Sequence, residues 1–144
     1  MAVRKSFVYV VRRDGPAVRL LAFGSHDEPG FEVPKGTVEA SETFEDAAVR
    51  EVFEEAGMEG IRIVRELGRT TYGAELQAFL LASAPEDLPE TFEHVVTGDG
   101  VDRGFSYTFG WLPIDADLES KLVQGCGAFV DALLEALGRT GRFH

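Results

Sequence analysis

Three glutamates, Glu51, Glu54 and Glu55, follow Arg50 in the stretch Arg50-Glu51-Val52-Phe53-Glu54-Glu55-Ala56-Gly57-Met58. On a helical wheel of about 100° per residue they fall within an arc of roughly 100°. Ala48, Val49, Val52, Phe53 and Ala56 occupy a different side, the expected core stripe. Ala47, one turn before Glu51, is expected on the carboxylate side, where a small side chain leaves room for a ligand or a loop. Three carboxylates so close suit a hard cation such as Mg²⁺, which takes oxygen ligands and keeps some of its waters. A solvated acidic face is the competing reading. Like charges on an exposed helix cost only about 0.2–0.5 kcal/mol per pair, and Arg50 can soften them from between Asp46 and Glu54. Geometry alone leaves both readings open.

Spacing adds what the wheel lacks. Gly36, Glu42, Arg50, Glu51, Val52, Glu54, Glu55, Gly57 and Met58 reproduce the pattern G-x5-E-x7-R-E-U-x-E-E-x-G-U, with U a bulky aliphatic residue. Chance agreement at every position somewhere in the chain is roughly one in ten million for ordinary residue usage. The segment resembles the signature of the Nudix hydrolases, and it covers 23 of the 144 residues. The resemblance implies a loop–helix–loop whose glutamates, here Glu51, Glu54 and Glu55, hold Mg²⁺ or Mn²⁺, with the Gly36 carbonyl as a further ligand. It also implies that Arg50 orients a box glutamate and that Glu42 supports the start of the helix. The implied reaction is hydrolysis of a phosphoanhydride, the metal bridging diphosphate oxygens and activating water. Glu51 is the first choice for general base and Glu54 the second.

Outside the box, Lys35 precedes Gly36 and is a candidate phosphate contact, as a point charge. Its alternative is an exposed loop lysine. In the dinucleoside-polyphosphate hydrolases of the family a tyrosine follows the box. Tyr72, 14 residues past Met58, lies near that spacing but off it and is the candidate substrate contact. Some family members recruit a later acid, for which Glu93, Asp99 and Asp102 are candidates, each also readable as an ordinary turn acid. His94 is a weaker candidate for phosphate or base. The alternating aromatics Phe105, Tyr107, Phe109 and Trp111 fill a core or stack a nucleobase. The substrate expectation leans to dinucleoside polyphosphates or nucleoside triphosphates, with nucleotide sugars behind. A nucleotide-binding sensor without turnover and an interaction protein with a merely solvated acidic helix remain as other classes.

These residues need a frame to hold them. Phe7–Arg12 and Val18–Phe23 read as a strand hairpin around Asp14-Gly15-Pro16. Phe31–Pro34 is extended, because the residue before proline avoids the helical region. Ser41-x-x-Phe44 opens a helix to about Ala56, and Gly57 stops it. Ile61–Leu67, Glu75–Leu81 and Phe105–Leu112 read as strands, and 84–93, with two prolines and several acids, as a loop or a broken helical turn. Leu118–Leu137 has helical period, weakened by Gly125 and Gly127. Strands on either side of a central helix, closed by a second helix, make one α/β domain over 1–144, a Nudix-type α/β/α sandwich with a mixed sheet.

Composition narrows the partners. A net charge of −11, with no long basic run, argues against duplex nucleic acid. A small nucleotide, brought in with a divalent cation, is compatible with that field. No apolar stretch reaches spanning length, so no membrane partner is expected, and the cytoplasm is the expected location. Cys126 is alone and is expected to be a small buried residue. A monomer or a homodimer is expected.

Overall fold

The run Phe7-Val8-Tyr9-Val10-Val11 has no polar alternation because both of its faces are covered. Val8 and Val10 join one hydrophobic cluster, and Phe7, Tyr9 and Val11 join another on the opposite side. The computed structural model describes residues 2–138. This run is the middle of β1 (Val3–Asp14), the central strand of the sheet. The other strands are β2 (Ala17–Gly24), β3 (Phe31–Glu32), β4 (Lys35–Thr37), β5 (Arg62–Tyr72), β6 (Glu75–Ser83), β7 (Phe92–Val95) and β8 (Ser106–Pro113). Their order is β5-β6-β1-β2-β8-β7, with β3 paired to β2 and β4 to β1. β1 and β6 run parallel, with Phe7 opposite Phe79, and the remaining pairs are antiparallel, so the sheet is mixed.

Helix α1 (Phe44–Ala56) covers one face, packing Phe44, Ala47, Ala48, Val52 and Ala56 against Val8, Leu21, Leu80 and Phe109. The short helices α2 (Leu118–Lys121) and α3 (Val130–Ala136) cover the other, over Tyr9, Leu20, Phe79 and Leu81. The α/β/α sandwich expected from the sequence is therefore present. Among the described residues no helix is long and apolar enough to cross a membrane.

Several expectations need correction. The carboxyl-terminal stretch is not one helix. It leaves the helical path after Lys121 and resumes at Val130, with Gly125 at φ +95°, a conformation that a continuous helix excludes. Residues 92–95 form a strand on the edge of the sheet rather than the end of a loop. Phe92 stacks on Phe109 there at 5.2 Å, and Glu93 and His94 face Thr108 and Tyr107 in the ladder. α1 begins at Phe44, three residues after Ser41, and Thr43 is its cap. The Thr43 hydroxyl accepts from Asp46 N at 3.0 Å, and the Asp46 carboxylate accepts from Thr43 N at 3.2 Å. β5 extends to Tyr72, five residues beyond its expected end at Leu67. Cys126 is buried, as expected of a free cysteine.

The core stripe of α1 also differs. Val49 and Phe53 are 44% and 46% exposed, whereas Ala47 is fully buried and Glu55 is only 5% exposed. On the wheel Glu55 lies between Phe44 and Ala48, so the helix turns a carboxylate, not Phe53, toward the sheet. That rotation carries Glu51, Glu54 and Glu55 toward the short strand β4.

Candidate active site

β4 is the floor of the site. Its antiparallel pairing with β1, Ser6 opposite Gly36 and Phe7 opposite Lys35, fixes the backbone of Gly36. The ladder is extended on either side by Val38 N to Arg4 O at 2.8 Å and Val8 N to Pro34 O at 2.9 Å. The start of α1 is tied to the same strand, since the buried Ser6 hydroxyl donates to Phe44 O at 2.8 Å. Gly36 has no side chain for a steric reason. A Cβ built on it would overlap the Glu51 carboxylate.

Arg50 organises the acids around this floor. Its guanidinium donates two bonds to Glu42, at 2.7 and 2.8 Å, one to Glu51 at 2.9 Å, one to Glu54 at 3.2 Å and one to Thr37 O at 2.9 Å. Only a planar fork with five donors reaches so many acceptors. Glu42 also accepts from Glu39 N at 2.9 Å, which makes it a brace between the loop and the helix. The paired guanidinium holds the Glu42 carboxyl below its ordinary range, and those same carboxylates hold Arg50 above its own.

The three helix glutamates behave differently, because burial makes ionisation expensive. Glu51 is pushed up to about 7 by desolvation, against the pull of Arg50 and with Glu54 and Asp102 adding repulsion. Glu54 is raised chiefly by desolvation. Glu55 is pushed up to about 9, first by burial and then by the Asp102 carboxyl, with which it shares a hydrogen bond. The Lys35 backbone N–H donates to Glu55 Oε1 at 3.0 Å. Mutually repelling carboxyls around a glycine-floored hollow form a donor set that fits a hard divalent cation. Among the described residues no group of three such side chains converges in ready-made metal geometry. Their oxygens are turned instead to Arg50, to the Lys35 amide and to Asp102, contacts that a cation would replace.

The sequence candidates sort as follows. Gly36, Glu42, Arg50, Glu51, Glu54 and Glu55 come together. Asp102 joins them through Glu55, although its position in the chain gave no more reason to choose it than Glu93 or Asp99. Asp99 lies close enough to Glu54 to raise its carboxyl, while Glu93 is exposed on β7. His94 packs against Gly57, the left-handed C-cap of α1, where a Cβ would come within 2.6 Å of its Nδ1. Lys35 turns its ammonium to Glu32. Tyr72, 78% exposed, ends β5 at the hairpin with β6, and no polar or ring contact joins it to the acids. The aromatic strand is split: Tyr107 and Phe109 are buried and Phe105 is 47% exposed.

Two contributions were not visible in the sequence. The strap 96–105 is tied to the carboxylate turn by Thr97 N donating to Glu54 O at 3.0 Å, and Gly98 (φ +89°) passes so close to Glu54 that a Cβ there would overlap its carboxylate. Tyr107 donates to Asp102 Oδ2 at 3.4 Å, and burial beside Asp102 keeps its hydroxyl protonated. A wide groove of about 1020 Å³ opens elsewhere, at the far end of β1, lined by Arg13, Arg62, Val64, Pro85, Leu88 and Leu137. It contains none of the Gly36-side acids.

Residues 2–117 match the family profile of the NUDIX domain. No curated protein matches the sequence. Among solved structures, the C. elegans Ap4A hydrolase superimposes with a TM-score of 0.68 at 18% identity, covering 95% of this chain and 99% of that one. A mutT/nudix family protein from Listeria innocua gives 0.66 at 16% identity, covering 94% of each chain. An ADP-ribose pyrophosphatase from Streptococcus suis gives 0.62 at 16% identity, covering 100% of this chain and 97% of that one. At these identities the superpositions establish a shared fold.

Proposed function

The chain belongs to the NUDIX domain family and is a hydrolase of phosphorus-containing anhydrides, and from that premise we propose a Mg²⁺- or Mn²⁺-dependent pyrophosphohydrolase of nucleoside-diphosphate-linked substrates. The observation that carries this reading is the neighbourhood of Glu51 over the Gly36 floor, Glu54 joined to it through Arg50, and Glu55 on the adjoining Lys35 amide with Asp102 beside it. Glu51, Glu54 and Glu55 would hold the cation, joined by the Gly36 carbonyl, which has two lone pairs to offer. When bound, the cation supplies charge neutralisation for the diphosphate oxygens and acidifies a water molecule.

The chain's own groups do the rest. Arg50 keeps Glu51 and Glu54 in register while Glu42 anchors Arg50 from the far side. Glu51, the carboxylate over the Gly36 floor held by Arg50, is the first choice to take a proton from water. Glu54 is the second choice. Lys35 neutralises a phosphate oxygen once Glu32 releases it. The likeness in fold to the C. elegans Ap4A hydrolase supports a dinucleoside polyphosphate, and that to an ADP-ribose pyrophosphatase supports the nucleotide-sugar-like alternative.

The test is Mg²⁺-dependent product release from a panel of dinucleoside polyphosphates, nucleoside triphosphates and nucleotide sugars. Glu51→Gln or Glu54→Gln is expected to slow turnover at least about 100-fold with the fold retained. Nucleotide affinity without turnover in the wild type would instead mark a sensor, and neither property would mark an interaction protein.

A further inference from the structure

Two aromatic rings are joined to the acids through Tyr107 and are used by nothing described so far. Phe105, 47% exposed, stacks on the imidazole of the exposed His26, with centroids 5.6 Å apart and planes 20° from parallel. Tyr107 holds both from beneath, edge-on to His26 at 5.2 Å and to Phe105 at 6.4 Å. Tyr107 is itself stacked on the fully buried Phe23 at 4.2 Å. Its hydroxyl end reaches Asp102, the carboxyl beside Glu55. One tyrosine therefore spans from the aromatic pair to the carboxylate cluster.

Both rings sit on backbone that is fastened to the site. Phe105 O accepts from Val96 N at 2.8 Å, and the next residue, Thr97, is bonded to Glu54. The His26 loop is closed by Ser25 N to Gly30 O at 3.0 Å, and the Ser25 hydroxyl accepts from Asp27 N at 3.2 Å. Directly after that loop β3 carries Glu32, the partner of Lys35, and His26 lies close enough to favour the Glu32 anion. Exposed apolar rings scattered singly need no explanation. A stacked pair fixed on one side to the carboxylate turn, through Val96 and Thr97, and on the other to the strand that carries Glu32 is a different arrangement.

We propose that His26 and Phe105 form the stacking platform for the nucleobase of the substrate, placing its phosphates toward Lys35 and the helix glutamates. This rests on the phosphoanhydride reading above and adds the part of the ligand that is recognised, an aromatic base. Stacking suits that task because every base offers a π-face, so the platform selects nucleotides over other anhydrides without choosing among bases.

The test measures binding separately from turnover. Calorimetry in Mg²⁺ with α,β-methylene ADP, which cannot be cleaved at that linkage, is compared with calorimetry using inorganic tripolyphosphate, for the wild type and for Phe105→Ala, His26→Ala and Phe105→Tyr. The wild type is expected to bind the nucleotide more tightly than tripolyphosphate. Either alanine variant should weaken nucleotide binding about tenfold and leave tripolyphosphate unchanged, and Phe105→Tyr should restore nucleotide affinity. Unaltered nucleotide affinity in both alanine variants overturns the platform, and so does a parallel loss for both ligands, which would indicate a structural role. Absence of turnover in the wild type would refute the hydrolytic reading while the two affinities still decide the platform.

Discussion

Gly36→Ala separates the fold from the chemistry at a single atom. The glycine backbone is held by the β1–β4 ladder, with Ser6 opposite, so it cannot withdraw. The added Cβ takes the space of the Glu51 carboxylate, which is the far end of a flexible side chain and must swing away. Swinging out breaks the 2.9 Å bond from Arg50, worth about 1.5–3 kcal/mol for a charged pair. Replacing glycine by alanine restricts the unfolded chain and returns about 0.4–1 kcal/mol. The net loss is therefore about 0.5–2.6 kcal/mol, a fall in Tm of roughly 2–10 °C for a domain of this size. Activity should suffer far more. Glu51 is displaced from the floor beside which a cation and its water would sit, and turnover should drop at least about 100-fold. Thermal melts and Mg²⁺-dependent product release measure the two effects, with Gly110→Ala as control. At Gly110 the nearest atom to a new Cβ is Glu90 O at 3.9 Å, and neither quantity should change much. Wild-type kcat/KM in Gly36→Ala would refute the assignment of the reaction to this floor.

Two further outcomes follow from the same geometry. Arg50→Lys keeps the charge but not the fork, so Glu42 loses its paired bonds and Glu51 or Glu54 is left with a repelling neighbour. The metal-free protein should lose about 1–3 kcal/mol, roughly 3–10 °C in Tm in the presence of EDTA, and Mg²⁺ should narrow the gap. Equal melting of variant and wild type in EDTA would show that Arg50 does not hold the acids together. For pH, Glu51 at about 7 and Glu55 at about 9 both stand above the ordinary 4.5, so across that window the folded chain binds more protons than the unfolded one. Stability of the metal-free protein must then fall as pH rises from about 5 to about 9, while Glu42, held low by Arg50, titrates below the window. Added Mg²⁺ replaces those protons and should flatten the decline, releasing protons as it binds. Flat Tm against pH in EDTA would contradict it.

Much of this was legible in the residues, for identifiable reasons. The β1–β2 hairpin shows because its strands are long and its turn carries Asp14-Gly15-Pro16. The box shows because its acids sit at fixed spacings within one helix and the loop before it, a local property. What stayed hidden is set by distant parts of the chain. Asp102 reaches Glu55 only because Val96 N–Phe105 O and Gly104 N–Val96 O fold the strap back on itself. β7 is four residues long after a proline-containing acidic loop, and its strand character comes from pairing with β8 rather than from its own pattern. His26 had no motif at all, and only the closure of its loop brings it to Phe105. Tyr72, attractive by its place in the chain, lies exposed at the tip of a hairpin.

The roll of α1 links stability to function. Rolling the helix to bury Val49 and Phe53 would gain about 1.5–3 kcal/mol for each side chain fully buried, but would lift Phe44, Ala47 and Ala48 off the sheet. Both are instead nearly half exposed, and the space between Phe44 and Ala48 is given to Glu55, whose ionisation is costly there. Rolling the helix to recover those apolar side chains would carry Glu51 and Glu54 away from Gly36 and pull Glu54 O from Thr97. The observed orientation is thus the one that serves the carboxylates. Arg50, Glu42 and the Lys35 amide hold them in it, offsetting part of a repulsion that a bound cation would relieve more fully.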